Sequence, residues 1–210
     1  MPDVVIAGAR RTPMGGFQGA LADAQAWALG GAAIGAALAD AGADPGRVDE
    51  VLMGCVLPAG QGQAPARQAG FAAGLGEDIP ATTLNKMCGS GMKAAMMAHD
   101  AVASGRADLI VAGGMESMSN APYLLPKMRG GARLGHAAVV DHMFLDGLED
   151  AYEKGRLMGT FAEDCAEQFQ FTRARQDEYA LASLSRALEA QSSGAFADEI
   201  SAVEVVSRKG

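Results

Sequence analysis

The chain is predicted to be an α/β protein with a mainly parallel sheet, a buried central helix and a long, weakly periodic stretch appended to it. Three observations predict this. Residues 81–112 hold a strand-like run (ATTL), a helical run and an apolar strand run (ADLIVA). That order requires parallel strands joined by a right-handed crossover. Apolar and helix-forming runs also alternate through the preceding residues, and from Asn120 to Gly159 the periodicity fades before two helical patterns resume.

Each element has a local reason. Val4 to Ala9 (VVIAGA) is a short apolar run of the buried-strand type. Residues 23–41 are rich in helix formers and close on Gly42, a helix stop. Val48 to Leu57 reads as a second strand ended by Pro58, and residues 64–74 as a short helix with Pro65 in its first turn. Ala81 to Leu84 is strand-like, residues 89–104 are helical with Gly105 as stop, and Ala107 to Ala112 is a strand. The stretch 120–159, glycine-rich and of mixed charge, has the texture of a functional lid or interface arm. Residues 160–171 and 173–194 are helical, the second with Thr172 as N-cap and Gly194 as stop. Residues 198–210 are strand-like, and no internal repeat occurs.

Composition narrows the function. Apolar residues make up 49% and aromatics only 5%, so Ala, Val, Leu, Ile and the 12 methionines must build the core. A net charge of −8 argues against nucleic acid as a partner. Cys55, Cys88 and Cys165 are odd in number and widely spaced, with no C-x-x-C or Cys/His pattern, so neither a disulfide framework nor a zinc site is expected. The N-terminus does not read as a signal peptide and no run has transmembrane length, which makes a reducing cytoplasm the expected compartment.

The chemistry concentrates at N-K-M-C-G-S-G-M-K-A, residues 85–94. A cysteine at the first turn of a helix meets unpaired N–H groups and the positive end of the macrodipole, which favour thiolate and can lower its pKa from roughly 8.5 toward neutrality. The same N–H groups can hold an oxyanion. Gly89, Ser90 and Gly91 remove bulk around Cys88, and the following helix is apolar nearly all round, which predicts burial on every side. An inert core thiol explains the same residues. His99 cannot arbitrate, since roughly 1.5 Å of rise per residue puts it about 16 Å along the same helix.

Further motifs do arbitrate. The run at 85–94 resembles the acyl-enzyme cysteine signature of the thiolase family. So do A-G-G-M-E-S-M-S at 112–119, V-L-P-A-G-Q-G-Q-A-P-A-R-Q-A at 56–69, A-R-R-T-P-M-G-G-F at 9–17 and R-L-M-G-T-F-A-E at 156–163, all in family order. The resemblance implies a thiolase-like N-terminal core half over residues 1–119 and an incomplete loop (lid and oligomerisation) domain over 120–210. It implies Claisen-type acyl transfer of the acetyl-CoA C-acetyltransferase kind, in which two acetyl-CoA give acetoacetyl-CoA and CoA, or the thiolytic reverse on a 3-ketoacyl-CoA. Cys88 would be the acylated nucleophile, with its own N–H as an oxyanion donor. Leu148, Leu157 and Met158 fall where the family lines its acyl and pantetheine pocket, and Leu157 stands where some members carry His. Coenzyme A would be substrate and product, with no further cofactor or metal, and a homodimer or homotetramer would form with residues 56–70 near the contact.

The family's N-E-A-F-A, G-H-P and C-x-G segments are not among these 210 residues. The resemblance therefore implies a chain without its C-terminal core half, and inactive alone because no base activates Cys88. Three readings follow: the N-terminal part of a thiolase, one subunit of a split enzyme, or a silent interaction module. A β-ketoacyl synthase is the neighbouring class, but its Ala-Cys-Ser-Ser type of cysteine setting does not match. Among the remaining candidates, His136 and His142 are expected at a surface or interface, and Cys55 and Cys165 in packing. Residues 9–19 read as a structural turn, lacking a phosphate loop's spacing. Lys127, Arg129 and Arg133 could meet CoA phosphates or an acidic neighbouring subunit.

Overall fold

The sheet is built around one short strand. Glu50–Gly54 (β1) lies between Ala81–Leu84 (β2) and Ile110–Gly114 (β3), giving the order β2-β1-β3 with every pairing parallel. A computed structural model describes residues 3–205 of the chain. Val51 to Gly54 are all buried, as a parallel strand covered on both faces requires. Val51, Met53 and Cys55 pack in the core with Ala26, Ile34, Ala66, Ala69 and Met115. Each fully buried side chain of this size contributes about 1.5–3 kcal/mol.

Ala26–Ala41 (α1) and Pro65–Ala72 (α2) cover the Val51 and Met53 face. The buried residues of α1, namely Ala26, Gly30, Gly31, Ile34 and Leu38, form a single stripe. Ser90–Ala103 (α3) joins β2 to β3 and packs on β1 and β3. Strand alternation turns Leu52 and Gly54 toward it. Because β1 lies between β2 and β3, the strand–helix–strand unit spans it.

Several expectations need correcting. Val4 to Ala9 form no strand: Val5 and Ile6 are 77% and 88% exposed. The segment runs along α1 instead, where the Ala9 N–H donates to the Asp40 carboxylate at 3.3 Å. The strand expected over 48–57 is only Glu50–Gly54, because the Val56 and Leu57 N–H groups turn to the Glu116 carboxylate. The strand expected over 107–112 begins at Ile110, since Leu109 and Asp108 N–H both donate to Asp49. Those two donors hold the Asp49 carboxyl below its ordinary pKa. Nor is α3 buried all round: Ser90, Ala94 and Ala101 are buried, while Met92 and Met96 are 73% and 54% exposed. The sheet occupies one side of α3, and no described element covers the methionine side.

Beyond β3 the chain leaves the sheet. Tyr123–Leu124 (β4) pairs antiparallel with Val140–Asp141 (β5), and Phe144–Leu148 forms a π-helical turn. Met158–Gln168 (α4) and Arg173–Ser192 (α5) follow, and the Thr172 hydroxyl caps α5 by accepting from Arg175 N–H. Along α5 the apolar Tyr179, Leu181, Leu184 and Leu188 are all exposed. The strand-like run expected at 198–210 makes one parallel bridge, Ile200 to Arg11, and its residues 206–210 lie outside the described ones.

The approach of α3 to the sheet sets a steric limit. A Cβ at Gly54 would lie 2.6 Å from Ser90 Cβ and 2.7 Å from the Ser90 carbonyl carbon. At Gly113 it would meet only the Met53 side chain, its sulfur at 3.3 Å and its terminal methyl at 3.6 Å. Gly54→Ala is therefore expected to cost about 1–3 kcal/mol in urea unfolding, and Gly113→Ala well under about 1 kcal/mol, because the Met53 side chain can swing away.

Candidate active site

Cys88 sits in the turn between β2 and α3, one residue ahead of Gly89, the N-cap of α3, and its side chain is exposed. The turn is held from within. The Asn85 carboxamide oxygen accepts from Met87 N–H at 2.9 Å, an Asx turn. The buried Ser90 hydroxyl accepts from Lys86 N–H at 2.8 Å and donates to the Met87 carbonyl at 2.5 Å. Met87 has φ +50°, a left-handed conformation that costs a non-glycine residue energy and persists only where its surroundings impose it. Gly89 and Ser90 N–H donate back to the Lys86 and Met87 carbonyls at 3.2 and 2.9 Å. The Cys88 N–H has no hydrogen-bond acceptor among the described residues.

Beside the turn lies the segment 55–61, and Glu116 organises it. Its carboxylate accepts from Val56 and Leu57 N–H at 2.8 and 3.0 Å and from the Cys55 thiol at 3.4 Å. Asn85 Nδ2 donates to the Val56 carbonyl at 3.4 Å, tying the Cys88 turn to this segment. Gln61 Nε2 donates to the Leu57 carbonyl and to Cys55 Sγ. Burial, with the Glu116 carboxylate beside it, pushes the Cys55 thiol up to about 11. Cys55 is therefore a protonated packing residue at neutral pH, as expected.

Leu148 ends the π-helical turn, Leu157 is the N-cap of α4 and Met158 is its first residue. An antiparallel bridge between Glu149 and Leu157, with Asp150 N–H donating to the Arg156 carbonyl at 2.8 Å, closes a hairpin that brings the three together. No hydrogen bond among the described residues joins them to Cys88 directly; the connection runs through the segment 55–61.

Two placements overturn expectations. His142, expected at a surface or interface, is 4% exposed within the chain itself, where Asp146, the Ala59 N–H and the Pro122 carbonyl hold it with hydrogen bonds. Cys165, expected in packing, is exposed on α4, whose outer face nothing described covers. His136 is exposed, and His99 is exposed on α3 beside Asp100. Lys127, Arg129 and Arg133 are exposed and form no ion pair among the described residues. Of residues 9–19, read as a structural turn, only 16–19 close one, with Gly19 N–H donating to the Gly16 carbonyl at 2.9 Å, while Arg11 bridges to Ile200.

The sequence pointed to no role for Asn85 or Glu116, and to Ser90 only as a small residue beside Cys88. An Asn two residues before a strained position and a Ser at a helix start are recognisable capping signals. Glu116 offers none, because its targets are backbone N–H groups on another strand's exit.

Residues 4–210 match the thiolase N-terminal domain. The chain belongs to the thiolase family. Over 208 residues this thiolase chain is 52% identical to acetyl-CoA acetyltransferase 2 of Arabidopsis thaliana, covering 99% of this chain and 51% of the relative. It is 51% identical to acetyl-CoA acetyltransferase of Pseudomonas aeruginosa over 210 residues, 100% of this chain and 53% of that one. A probable acetyl-CoA acyltransferase of Staphylococcus aureus is 44% identical over the same length, with 53% of it covered. The thiolase chain thus spans about half the length of the curated relatives it matches.

The thiols of this thiolase chain differ enough to be told apart chemically. Iodoacetamide at pH 8 is expected to modify Cys88 and Cys165, and to reach Cys55 only after unfolding or as the pH approaches its pKa of about 11. Peptide mapping that finds Cys55 labelled as fast as Cys165 in the folded chain would contradict this.

Proposed function

We propose that this chain supplies the nucleophile half of an acetyl-CoA C-acetyltransferase or 3-ketoacyl-CoA thiolase. Residues 1–119 would form the core half and 120–210 the lid and oligomerisation domain. The observation that carries the reading is the Cys88 turn, with its exposed sulfur on a backbone held by Asn85 and Ser90 and its own N–H without an acceptor among the described residues. Cys88 Sγ, as thiolate, attacks the thioester carbonyl of acetyl-CoA, and the Cys88 N–H stabilises the resulting oxyanion. The C–S bond to coenzyme A then breaks, and CoA leaves as thiolate and takes a proton. In condensation a second acetyl-CoA loses an α-proton to a base, and its carbanion attacks the acyl-cysteine carbonyl. Acetoacetyl-CoA forms and the Cys88 thiolate is released. Thiolysis of a 3-ketoacyl-CoA runs the same steps backward.

Leu148, Leu157 and Met158 would wall the acyl and pantetheine pocket, and coenzyme A would enter only as substrate and product. The base and the second acid would come from a second core half, whether on the same polypeptide or on a partner chain. The exposed Met92 and Met96 on α3 form an apolar face suited to cover by that half. In the homo-oligomer, residues 56–70 would meet a second copy along the free edge of β2, where Pro58, Ala64 and Pro65 line a groove with Ala81 to Asn85. Three widely separated free cysteines and no helix long and apolar enough to cross a membrane, among the described residues, suit the cytoplasm.

Incubation with acetyl-CoA in the presence of the second core half is expected to leave one acetyl group on Cys88, read by peptide mass. Cys88→Ser should lower thiolysis of acetoacetyl-CoA by on the order of a thousandfold or more. An acetyl group absent from Cys88 in the complete enzyme would defeat the proposal. Light scattering on that enzyme is expected to give a dimer or tetramer; a monomer would remove the role of the β2 edge.

A further inference from the structure

In the 120–159 region, one deeply buried imidazole with both ring nitrogens partnered is not used by the reaction scheme. His142 is 4% exposed. Its Nδ1 lies 2.6 Å from Asp146 Oδ2, and its Nε2 lies 3.4 Å from the Ala59 nitrogen. The Ala59 N–H can only donate, so Nε2 must accept, and the ring proton sits on Nδ1, donated to Asp146. The partners thus select one neutral tautomer. The His142 backbone N–H donates to the Pro122 carbonyl at 3.1 Å, which fixes the base of the side chain against β4.

The position of this imidazole gives it a mechanical meaning. Asp146 belongs to the π-helical turn Phe144–Leu148. In the same turn, a Cβ at Gly147 would lie 3.4 Å from the Leu57 side chain. On the other side, Ala59 belongs to the segment 55–61, which Asn85 ties to the Cys88 turn. His142 therefore sits at the joint between the segment bracing the nucleophile's turn and the turn carrying Leu148.

We propose that His142 is a positioning residue whose neutral ring locks the Leu148 wall to the segment 55–61 and so sets the depth of the acyl pocket. The pocket role rests on the acyl-CoA reading above; the joint itself does not. A proton on Nε2 would place a donor against the Ala59 N–H donor and release the joint. The charged groups around the ring are few. Asp146 is on its own element, and the Asp141 carboxylate accepts from Met143 N–H. The Glu116 carboxylate is engaged with Val56 and Leu57 N–H. Residues 56–62 and 121–125 carry no charged side chain.

Two substitutions separate the ring's two bonds. His142→Gln can keep an acceptor near the Nε2 position, whereas His142→Asn can keep only the donor toward Asp146. Hydrogen exchange measured by mass spectrometry on this chain is expected to quicken roughly five- to tenfold over residues 56–62 in His142→Ala and His142→Asn, the size of one neutral hydrogen bond. In His142→Gln it should stay within about twofold of the parent. Equal exchange in all four proteins overturns the joint; should His142→Ala fail to fold, the Asn and Gln variants make the same comparison.

In the complete enzyme, the preference in kcat/KM for acetoacetyl-CoA over a 3-ketoacyl-CoA two carbons longer is expected to fall about fivefold in His142→Asn and to recover in His142→Gln. A preference that stays put while exchange quickens overturns the pocket role. Failure of the acyl-CoA reading would show separately, as absence of acetyl-Cys88 in the parent enzyme.

Discussion

The near-contact between the first turn of α3 and the backbones of β1 and β3 is the constraint on which the rest of the site depends. Gly91 on the helix faces Gly114 on β3, where a Cβ at Gly91 would stand 3.6 Å from the Gly114 nitrogen. Gly54 on β1 leaves no room for any side chain beneath Ser90. The helix start is therefore pressed onto the sheet with no side chain between them, and Ser90 is buried as a result. Burial gives its hydroxyl the two hydrogen bonds that shape the Cys88 turn, since a buried hydroxyl without partners would be costly. Packing on one side of the backbone thus exposes the thiol on the other.

A second layer of order comes from the segment 55–61. It leaves the sheet at Gly54 and would otherwise have unpaired N–H groups in a half-buried place. The Glu116 carboxylate takes two of them, and charge-assisted bonds of this kind are among the stronger available. Glu116 itself follows Met115, whose N–H donates to the Gly54 carbonyl at 2.9 Å, so the strand ends are stitched before they diverge. With this segment rigid, Asn85 can brace the Cys88 turn from one side and His142 can brace the region beyond β4 from the other. Burial, with the same carboxylate beside it, holds the nearby Cys55 thiol protonated. Two cysteines in one small region thus differ in depth, Cys55 buried and Cys88 exposed.

The covered and uncovered surfaces fall in a pattern that matches a chain spanning about half the length of its relatives. The face of β1 toward α1 and α2 is sealed. The methionine face of α3 and the apolar stripe of α5 are open. Exposed apolar side chains grouped on two helices are the kind of surface that a further domain or chain covers.

Much of the chain was legible in its sequence because the signals were local. Helix-forming runs with Gly42 and Thr172 at their ends marked α1 and α5, and apolar runs marked the three parallel strands. The cysteine motif and its companions marked the family. What sequence could not decide was set by neighbours distant along the chain. VVIAGA has a strand's composition, yet it lies along α1, where Asp40 takes the Ala9 N–H. The apolar helix α3 reads as buried, yet only the side against the sheet is. His142 reads as a surface histidine until the fold sets Ala59 and Asp146 on its two ring nitrogens. The composition of a segment determined what it could become; which of its atoms met a partner, and so which were buried or reactive, was decided only by tertiary packing, because hydrogen bonds and burial depend on atoms brought together from across the chain.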